Sequence, residues 1–282
     1  MLTPAATIAF IGFGEAGGLL GQALARRGCA VRAYDILPAI TARIKAAGAD
    51  PARTLADCVR GAKLVISAVT ATSAGEVAAQ AATLMQPGQI FLDINSVSPE
   101  SKRANAARVE SVGADYVEAA VMAPVPPHGL AVPMLLGGAR AAELSAGLNA
   151  LGFSTRAVAS TIGVASAIKM CRSVMIKGIE ALAVESLFTA RHYGAEDAVL
   201  ASLAATFPSM GWDGAQADYL ISRVAEHGRR RAAEVREVAV TVRAAGLAPY
   251  MSEAIALRQD ALVDDMQAAG IEYQKQTPFE WR

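Results

Sequence analysis

A glycine-rich turn sets the strongest constraint on the fold. Thr7–Ile11 is a short apolar run of strand character, and it leads directly into Gly12-Phe13-Gly14-Glu15-Ala16-Gly17. Ala16–Arg27 then reads as a helix ended by Gly28. In G-x-G-x-x-G between a strand and a helix, each glycine has its own role. Gly12 permits the tight turn, Gly14 lets the backbone approach a pyrophosphate, and Gly17 allows close helix–strand packing. The helix N-terminus offers unpaired N–H groups to an anion. The next strand-like run, Ala30–Tyr34, is followed by Asp35, eighteen residues after Gly17. A carboxylate there accepts hydrogen bonds from an adenosine ribose and repels a 2′-phosphate. The pattern therefore predicts a bound NAD, with NADP less favoured. Gly12, Phe13, Gly14, Glu15, Ala16, Gly17 and Asp35 are the expected cofactor-binding residues. The motif alone is a weak signal, and the flanking strand, helix and acidic residue give it weight.

The first half goes on alternating. Pro38–Ala47 and Ser73–Met85 read as helices, and Leu64–Val69, Ile90–Ile94, Tyr116–Val121 and Pro133–Leu136 as strands. Pro99 falls in the first turn of a helix, where proline is tolerated. Pro124, Pro126, Pro127, His128 and Gly129 mark a loop. Alternation of this kind implies an α/β, doubly wound, mainly parallel sheet of Rossmann type. The pattern changes near Ser160. From Gly163 to His192 there is no proline, which suits one long helix. Glu196–Thr206, Trp212–Glu226, Arg229–Ala245 and Ser252–Ala269 also read as helices. The expected division is a dinucleotide-binding domain over 1–161 and an all-α domain over 162–282.

Composition narrows the function classes. Lys plus Arg and Asp plus Glu both number 26, so the chain has no bulk charge to draw a nucleic acid or an acidic membrane. Three cysteines, Cys29, Cys58 and Cys171, lack C-x-x-C spacing, which points to a reducing cytoplasm. Cys171 reads as a buried packing residue. The apolar stretch from Pro4 to Ala25 lacks a preceding Lys or Arg and contains Glu15, so it fits neither a signal peptide nor a membrane span. His128, His192 and His227 have no metal-ligand spacing, and no metal is expected. Glu76, Asp93 and Glu118 show no paired-carboxylate logic.

The long helix holds the other chemical signal. Lys169, Ser173, Lys177 and Glu180 share one face at i,i+4 and i,i+3 spacing. Their neighbours are mostly apolar, so the helix is expected to be buried on most sides. A lysine in such a place loses solvation, and its pKa is drawn toward neutrality, which suits proton transfer. The plainer alternative stays open: Lys177 pairs with Glu180, and Lys169 reaches solvent.

These residues together resemble a known family. I-G-F-G-E-A-G (11–17), L-D-I-N-S-V-S-P (92–99), the segment from Val117 to Gly138, and G-V-A-S-A-I-K-M-C-R-S (163–173) are similar to the β-hydroxyacid dehydrogenases. That family includes 3-hydroxyisobutyrate and 6-phosphogluconate dehydrogenases. The resemblance is strongest to a bacterial 6-phosphogluconate dehydrogenase-like branch with its own C-terminal domain. It implies that Lys169 is the catalytic lysine, taking the hydroxyl proton as hydride leaves for the nicotinamide. It implies that Asn95 lines the cofactor and Ser96 the substrate, and that Val69 and Thr70 flank the cofactor. It implies a homodimer formed through the helical domain, with the active site in the cleft between domains.

The departures bear on the substrate. Where the family has Ser-Gly-Gly, this chain has Met122-Ala123-Pro124, and proline removes a donor. Where an asparagine follows the catalytic lysine, this chain has Arg172 and Ser173. The expected substrate contacts are Ser96, Met122, Ala123, Pro124, Arg172, Ser173 and Lys177. A family lysine on a later helix is replaced by His227-Gly228-Arg229-Arg230-Arg231, which reads as a solvated helix start, with an anionic contact through one of the arginines as the alternative. The reading is an NAD-dependent dehydrogenase of a small β-hydroxy acid or related polar alcohol. The alternatives are an imine reductase of the same fold and a non-catalytic cofactor-sensing protein.

Overall fold

Side chains alternate across a strand, and here both sets are apolar. The structure, a computed structural model, describes residues 6–282; Pro4 and Ala5, which begin the apolar N-terminal stretch, lie outside them. In β1 (Ile8–Ile11), Ile8 and Phe10 face one side of a sheet while Ala9 and Ile11 face the other. β4 (Leu64–Ser67) and β5 (Ile90–Asp93) repeat the pattern, Leu64, Ile66 and Leu92 opposing Val65 and Phe91. A strand apolar on both faces has to be covered on both faces. On the first, α1 (Glu15–Arg26), α2 (Ile40–Ala46) and α7 (Ala141–Ala150) supply Leu20, Leu24, Ile44, Leu144 and Leu148. On the second, α3 (Leu55–Val59), α4 (Ala74–Ala82) and α5 (Pro99–Glu110) supply Val59, Ala78, Ala81 and Val109.

The remaining strands are β2 (Val31–Tyr34), β3 (Asp50–Pro51), β6 (Asp115–Val121), β7 (Pro133–Gly137) and β8 (Ser154–Ala159). The eight run in the order β3-β2-β1-β4-β5-β6-β7-β8. Every neighbouring pair is parallel except β6 and β7. The chain returns from β6 to β7 through an irregular connection, as the prolines led one to expect: the short segment α6 (Val125–His128) is extended at Pro126 (φ −72°, ψ 139°), and a tight turn over Gly129–Ala131 follows it. Strand order reverses between β1 and β4, and ligands of such sheets bind outside the carboxyl ends of the strands there.

The chain divides into two compact units, one ending at Lys169 and one running from Met170 to Arg282. The boundary falls inside α8 (Val164–His192), later than the expected 161/162, because the first turn of this helix is bonded to the sheet unit. The second unit also contains α9 (Glu196–Thr206), α10 (Gln216–Ala244) and α11 (Tyr250–Ala268). Ala183, Val184, Leu187, Leu220, Ile221, Val224 and Leu262 form its main core.

Four expectations need correction here. Trp212–Glu226 and Arg229–Ala245 are not two helices. α10 runs through Gly228, because α11 packs so close that a Cβ on Gly228 would lie 2.7 Å from the Gln259 carbonyl oxygen. The His227–Arg231 cluster is therefore mid-helix, not a helix start. α8 is not buried on most sides either: Met175 and Leu182 are 66% and 59% exposed, and Cys171 is exposed as well.

Candidate active site

The dinucleotide turn has the geometry its sequence asks for. Gly12 has φ +88°, and a Cβ there would meet the Ala68 carbonyl oxygen at 2.4 Å. Gly17 packs against the same turn, a Cβ there reaching the Gly12 oxygen at 2.3 Å. Gly14, the residue before the first turn of α1, has open space where its Cβ would be. An anion therefore has room beside Glu15, which is exposed, and Ala16, which is half-buried. Asp35 follows β2 and is fixed by two main-chain donors. Phe13 N donates to its Oδ2 at 2.8 Å and Leu37 N to its Oδ1 at 3.0 Å. Asp35 is thus oriented before any ligand arrives. Turn, helix start and oriented carboxylate together fit a nicotinamide dinucleotide.

The ends of β4 and β5 are tied together by Asn95. Its Oδ1 accepts Val69 N at 2.7 Å, and its Nδ2 donates to Ser67 Oγ at 2.9 Å. This buried side chain is thus a clamp between two strand ends, and Val69, half-buried, follows directly from it. Thr70 is exposed, with its hydroxyl near those of Thr72 and Ser73.

Asp93 explains why the β5 end is rigid. Its Oδ1 accepts Asn95 N at 2.9 Å and forms an ion pair with Lys102 Nζ at 2.8 Å. Its Oδ2 accepts Tyr116 OH at 2.7 Å and Asn105 Nδ2 at 3.4 Å. Lys102 also donates to the Asp93 carbonyl. Burial first, then the Asp93 carboxylate, holds the Tyr116 phenol well above its ordinary pKa, so it remains a donor. Sequence reasoning saw no role for Asp93 and did not consider Lys102 or Asn105. The available signal was a charged residue closing an otherwise apolar strand.

Ser96 comes next after this clamp, and here the lysine arrives. Lys169 Nζ donates to Ser96 Oγ at 2.6 Å. Lys169 is half-buried, and both residues lie in the sheet unit. A residue at the end of β5 and one on the second turn of α8 are thus joined from 73 positions apart. Met122 and Ala123, half-buried, and Pro124, exposed, follow β6, the strand next to β5. Arg172, exposed, and Ser173, half-buried, lie one turn past Lys169 on α8. Lys177 lies inside the helical unit, only 4% exposed, with Nζ held by Glu234 at 2.6 Å. Its partner is thus on α10 and not the expected Glu180, which Arg231 Nε binds at 2.9 Å. Among the described residues no cluster of His, Cys, Asp and Glu suits a metal ion, and no helix is long and apolar enough to cross a membrane.

The NAD binding domain of 6-phosphogluconate dehydrogenase matches residues 7–142, and a domain of unknown function, DUF1932, matches residues 190–262. A conserved hypothetical protein from Sinorhizobium meliloti is 40% identical, with a TM-score of 0.80 over 95% of this chain and 92% of its own. A conserved protein whose structure is described as similar to 3-hydroxyacid dehydrogenases is 30% identical, with a TM-score of 0.76 over 94% of this chain and all of its own. An NAD-dependent L-serine dehydrogenase from Pseudomonas aeruginosa is 30% identical over 122 residues, 40% of either chain. At 18% identity, which speaks for the fold alone, Mycobacterium tuberculosis 3-hydroxyisobutyrate dehydrogenase with L-serine superposes at TM-score 0.75 over 96% of this chain and 97% of its own. An Aspergillus terreus imine reductase in complex with NADPH4 and dibenz[c,e]azepine does so at 0.60 over 95% of each chain, also at 18% identity.

Proposed function

The chain belongs to the β-hydroxyacid dehydrogenase family, and from that premise we propose that it is an NAD-dependent dehydrogenase of a small β-hydroxy acid or related polar alcohol. The observation that carries the reading is the 2.6 Å contact between Lys169 Nζ and Ser96 Oγ at the carboxyl end of β5. A bound nicotinamide would supply the hydride acceptor for the carbinol carbon. The chain's own residues handle the proton. In oxidation the neutral Lys169 amine takes the hydroxyl proton as the carbonyl forms; in reduction its ammonium returns one to the carbonyl oxygen. Ser96 orients the amine and offers its own hydroxyl to the same oxygen. Asn95, Val69 and Thr70 shape the nicotinamide end, and Gly12–Gly17 hold the pyrophosphate.

Met122, Ala123, Pro124, Arg172 and Ser173 line the substrate in this reading. Arg172 supplies the cation for the acid group that a Ser-Gly-Gly backbone binds elsewhere in the family. Lys177, already paired with Glu234, supports the helical unit from within. Asp35 selects NAD over NADP. The chain works in the cytoplasm as a homodimer, and the exposed Met175 and Leu182 on α8 supply an apolar contact face for the second copy.

The test is a panel of β-hydroxy acids, 3-hydroxyisobutyrate and L-serine among them, followed by NADH absorbance with NAD and with NADP. Lys169→Ala should lower turnover roughly 10²–10⁴-fold while leaving NADH affinity unchanged. Unchanged turnover would remove Lys169 from the mechanism. Faster reduction of cyclic imines than of keto acids would move the chain to the imine reductases. Tight NADH binding without turnover of any compound would make it a sensor.

A further inference from the structure

Glu118 lies in the middle of β6 and has no exposed surface. Its Oε1 accepts Gly163 N at 2.6 Å and Ala165 N at 3.0 Å. Its Oε2 accepts Ser166 N at 3.2 Å and Ser166 Oγ at 2.6 Å. Four donors converge on two oxygens, which is the pattern of an ionised carboxylate acting purely as acceptor. The three amides belong to the start of α8, where a helix has no backbone acceptors of its own to give them. The negative charge also sits at the positive end of the helix dipole.

The sheet makes room for this carboxylate. Gly137 on β7 is the register partner of Glu118, and a Cβ on Gly137 would lie 2.6 Å from Glu118 Oε1. The start of α8 is set by Gly163, at φ +106°, with the Arg103 guanidinium 2.7 Å from where its Cβ would be. Lys169 is three residues beyond Ser166, on the next turn of the same face. Its reach to Ser96 therefore depends on where α8 begins.

We propose that Glu118 is a positioning residue for Lys169: by binding the Gly163, Ala165 and Ser166 amides, it fixes α8 against the sheet at the register that brings Lys169 Nζ onto Ser96. The importance of this contact for catalysis rests on the dehydrogenase reading above. The coupling between Glu118 and the lysine does not, so the two can fail separately.

The experiment uses the full chain, reductively ¹³C-methylated at its lysines, with the Lys169 signal identified by its loss in Lys169→Arg. In the wild type, Ser96→Ala should move that signal. In the Glu118→Gln background, Ser96→Ala should leave it unmoved, because the lysine has already left the serine. Amide exchange across residues 163–170 should speed up at least tenfold in Glu118→Gln, with α1 unchanged. Gly137→Ala keeps the charge but crowds the carboxylate, and it should give the same decoupling if Glu118→Gln folds poorly. Ser166→Ala, which removes one bond of the four, should preserve most of the coupling. A Lys169 signal that answers Ser96→Ala equally with and without the Glu118 carboxylate would overturn the proposal, whatever the exchange rates. Unchanged turnover in Lys169→Ala, with the decoupling still observed, would remove only the catalytic consequence.

Discussion

Both units bury charge, but they satisfy it differently. In the sheet unit, Asp93 closes β5 and Glu118, midway along β6, faces the start of α8, so main-chain N–H groups take part in binding both. In the helical unit, Lys177, Glu180 and Arg231 lie in the middle of long helices, where every backbone donor is already used. Those charges are held by side chains instead. Lys177 binds Glu234, and Arg231 holds Glu180 Oε2 through both Nε and Nη2. A carboxylate held by the backbone is fixed by the fold itself. A carboxylate held by another side chain depends on one partner. The first arrangement suits a site that must keep its geometry, and it is the one found behind Ser96 and Lys169.

The largest effect should come from breaking a pair that has no backbone support. Arg231→Met leaves Glu180 buried with its main partner gone, and about 3–5 kcal/mol of stability should be lost. The double variant Glu180→Leu, Arg231→Met removes both charges and should recover most of that loss. Urea unfolding of the three proteins checks this. A double variant no more stable than the single one would mean that the pair itself, and not its burial, governs the unit. The matching change in the sheet unit is Lys102→Met. Asp93 loses its cation but keeps Asn95 N and Tyr116 OH, so the cost should be smaller, about 1–3 kcal/mol. Equal losses in the two units would erase the distinction drawn here.

A smaller effect is expected at Asp35, the third carboxylate held by main-chain donors. Asp35→Ser should weaken NAD about tenfold, near 1.4 kcal/mol, and narrow the gap to NADP, as measured by titration with both reduced cofactors. Its position was legible from sequence because the strand–turn–helix pattern and the spacing to Asp35 are local. Lys169 stands out in the sequence too, from its helix and from the family resemblance, and the structure sets its Nζ 2.6 Å from Ser96 Oγ. Glu118 and Asp93 were not. Glu118 and Gly163 lie 45 positions apart, and no short window of sequence holds both; Asp93 has Asn95 and Lys102 within nine positions, but no strand or helix period pairs them. β8 escaped notice because an edge strand with Arg156 and exposed Ser154 lacks the apolar run of a central one. Reading α10 as two helices failed because Gly228 resembles a break in isolation. Only the neighbouring α11 shows that it is a point of close approach. The pairing of Lys177 with Glu234 instead of Glu180 has the same cause, since helix spacing sees only neighbours on one helix.

The smallest effect should be the pH response of the helical cluster, and its sign separates the units further. Burial, the leading cause, raises the Glu180 carboxyl above its ordinary 4.5 despite the opposing Arg231. Burial likewise lowers the Lys177 ammonium below 10.5 despite Glu234. In each case desolvation outweighs the partner. A raised carboxyl binds more protons folded than unfolded, so its stabilising contribution is complete below 4.5 and lost as pH rises through the folded value. A lowered ammonium binds fewer protons folded, so its contribution is present above 10.5 and lost as pH falls through the folded value. The first contribution therefore fades as pH rises from 4.5 and the second as pH falls from 10.5, so the charged cluster costs more between these limits than outside them. Glu180→Gln removes the acidic limb, so the wild type should gain stability relative to this variant as pH falls from neutral toward 4.5. The comparison is made by urea midpoints of the two proteins at matched pH. A wild type that loses ground to Glu180→Gln on acidification would show that Arg231 outweighs burial, and that the helical unit is held as firmly by its side-chain pairs as the sheet unit is by its backbone.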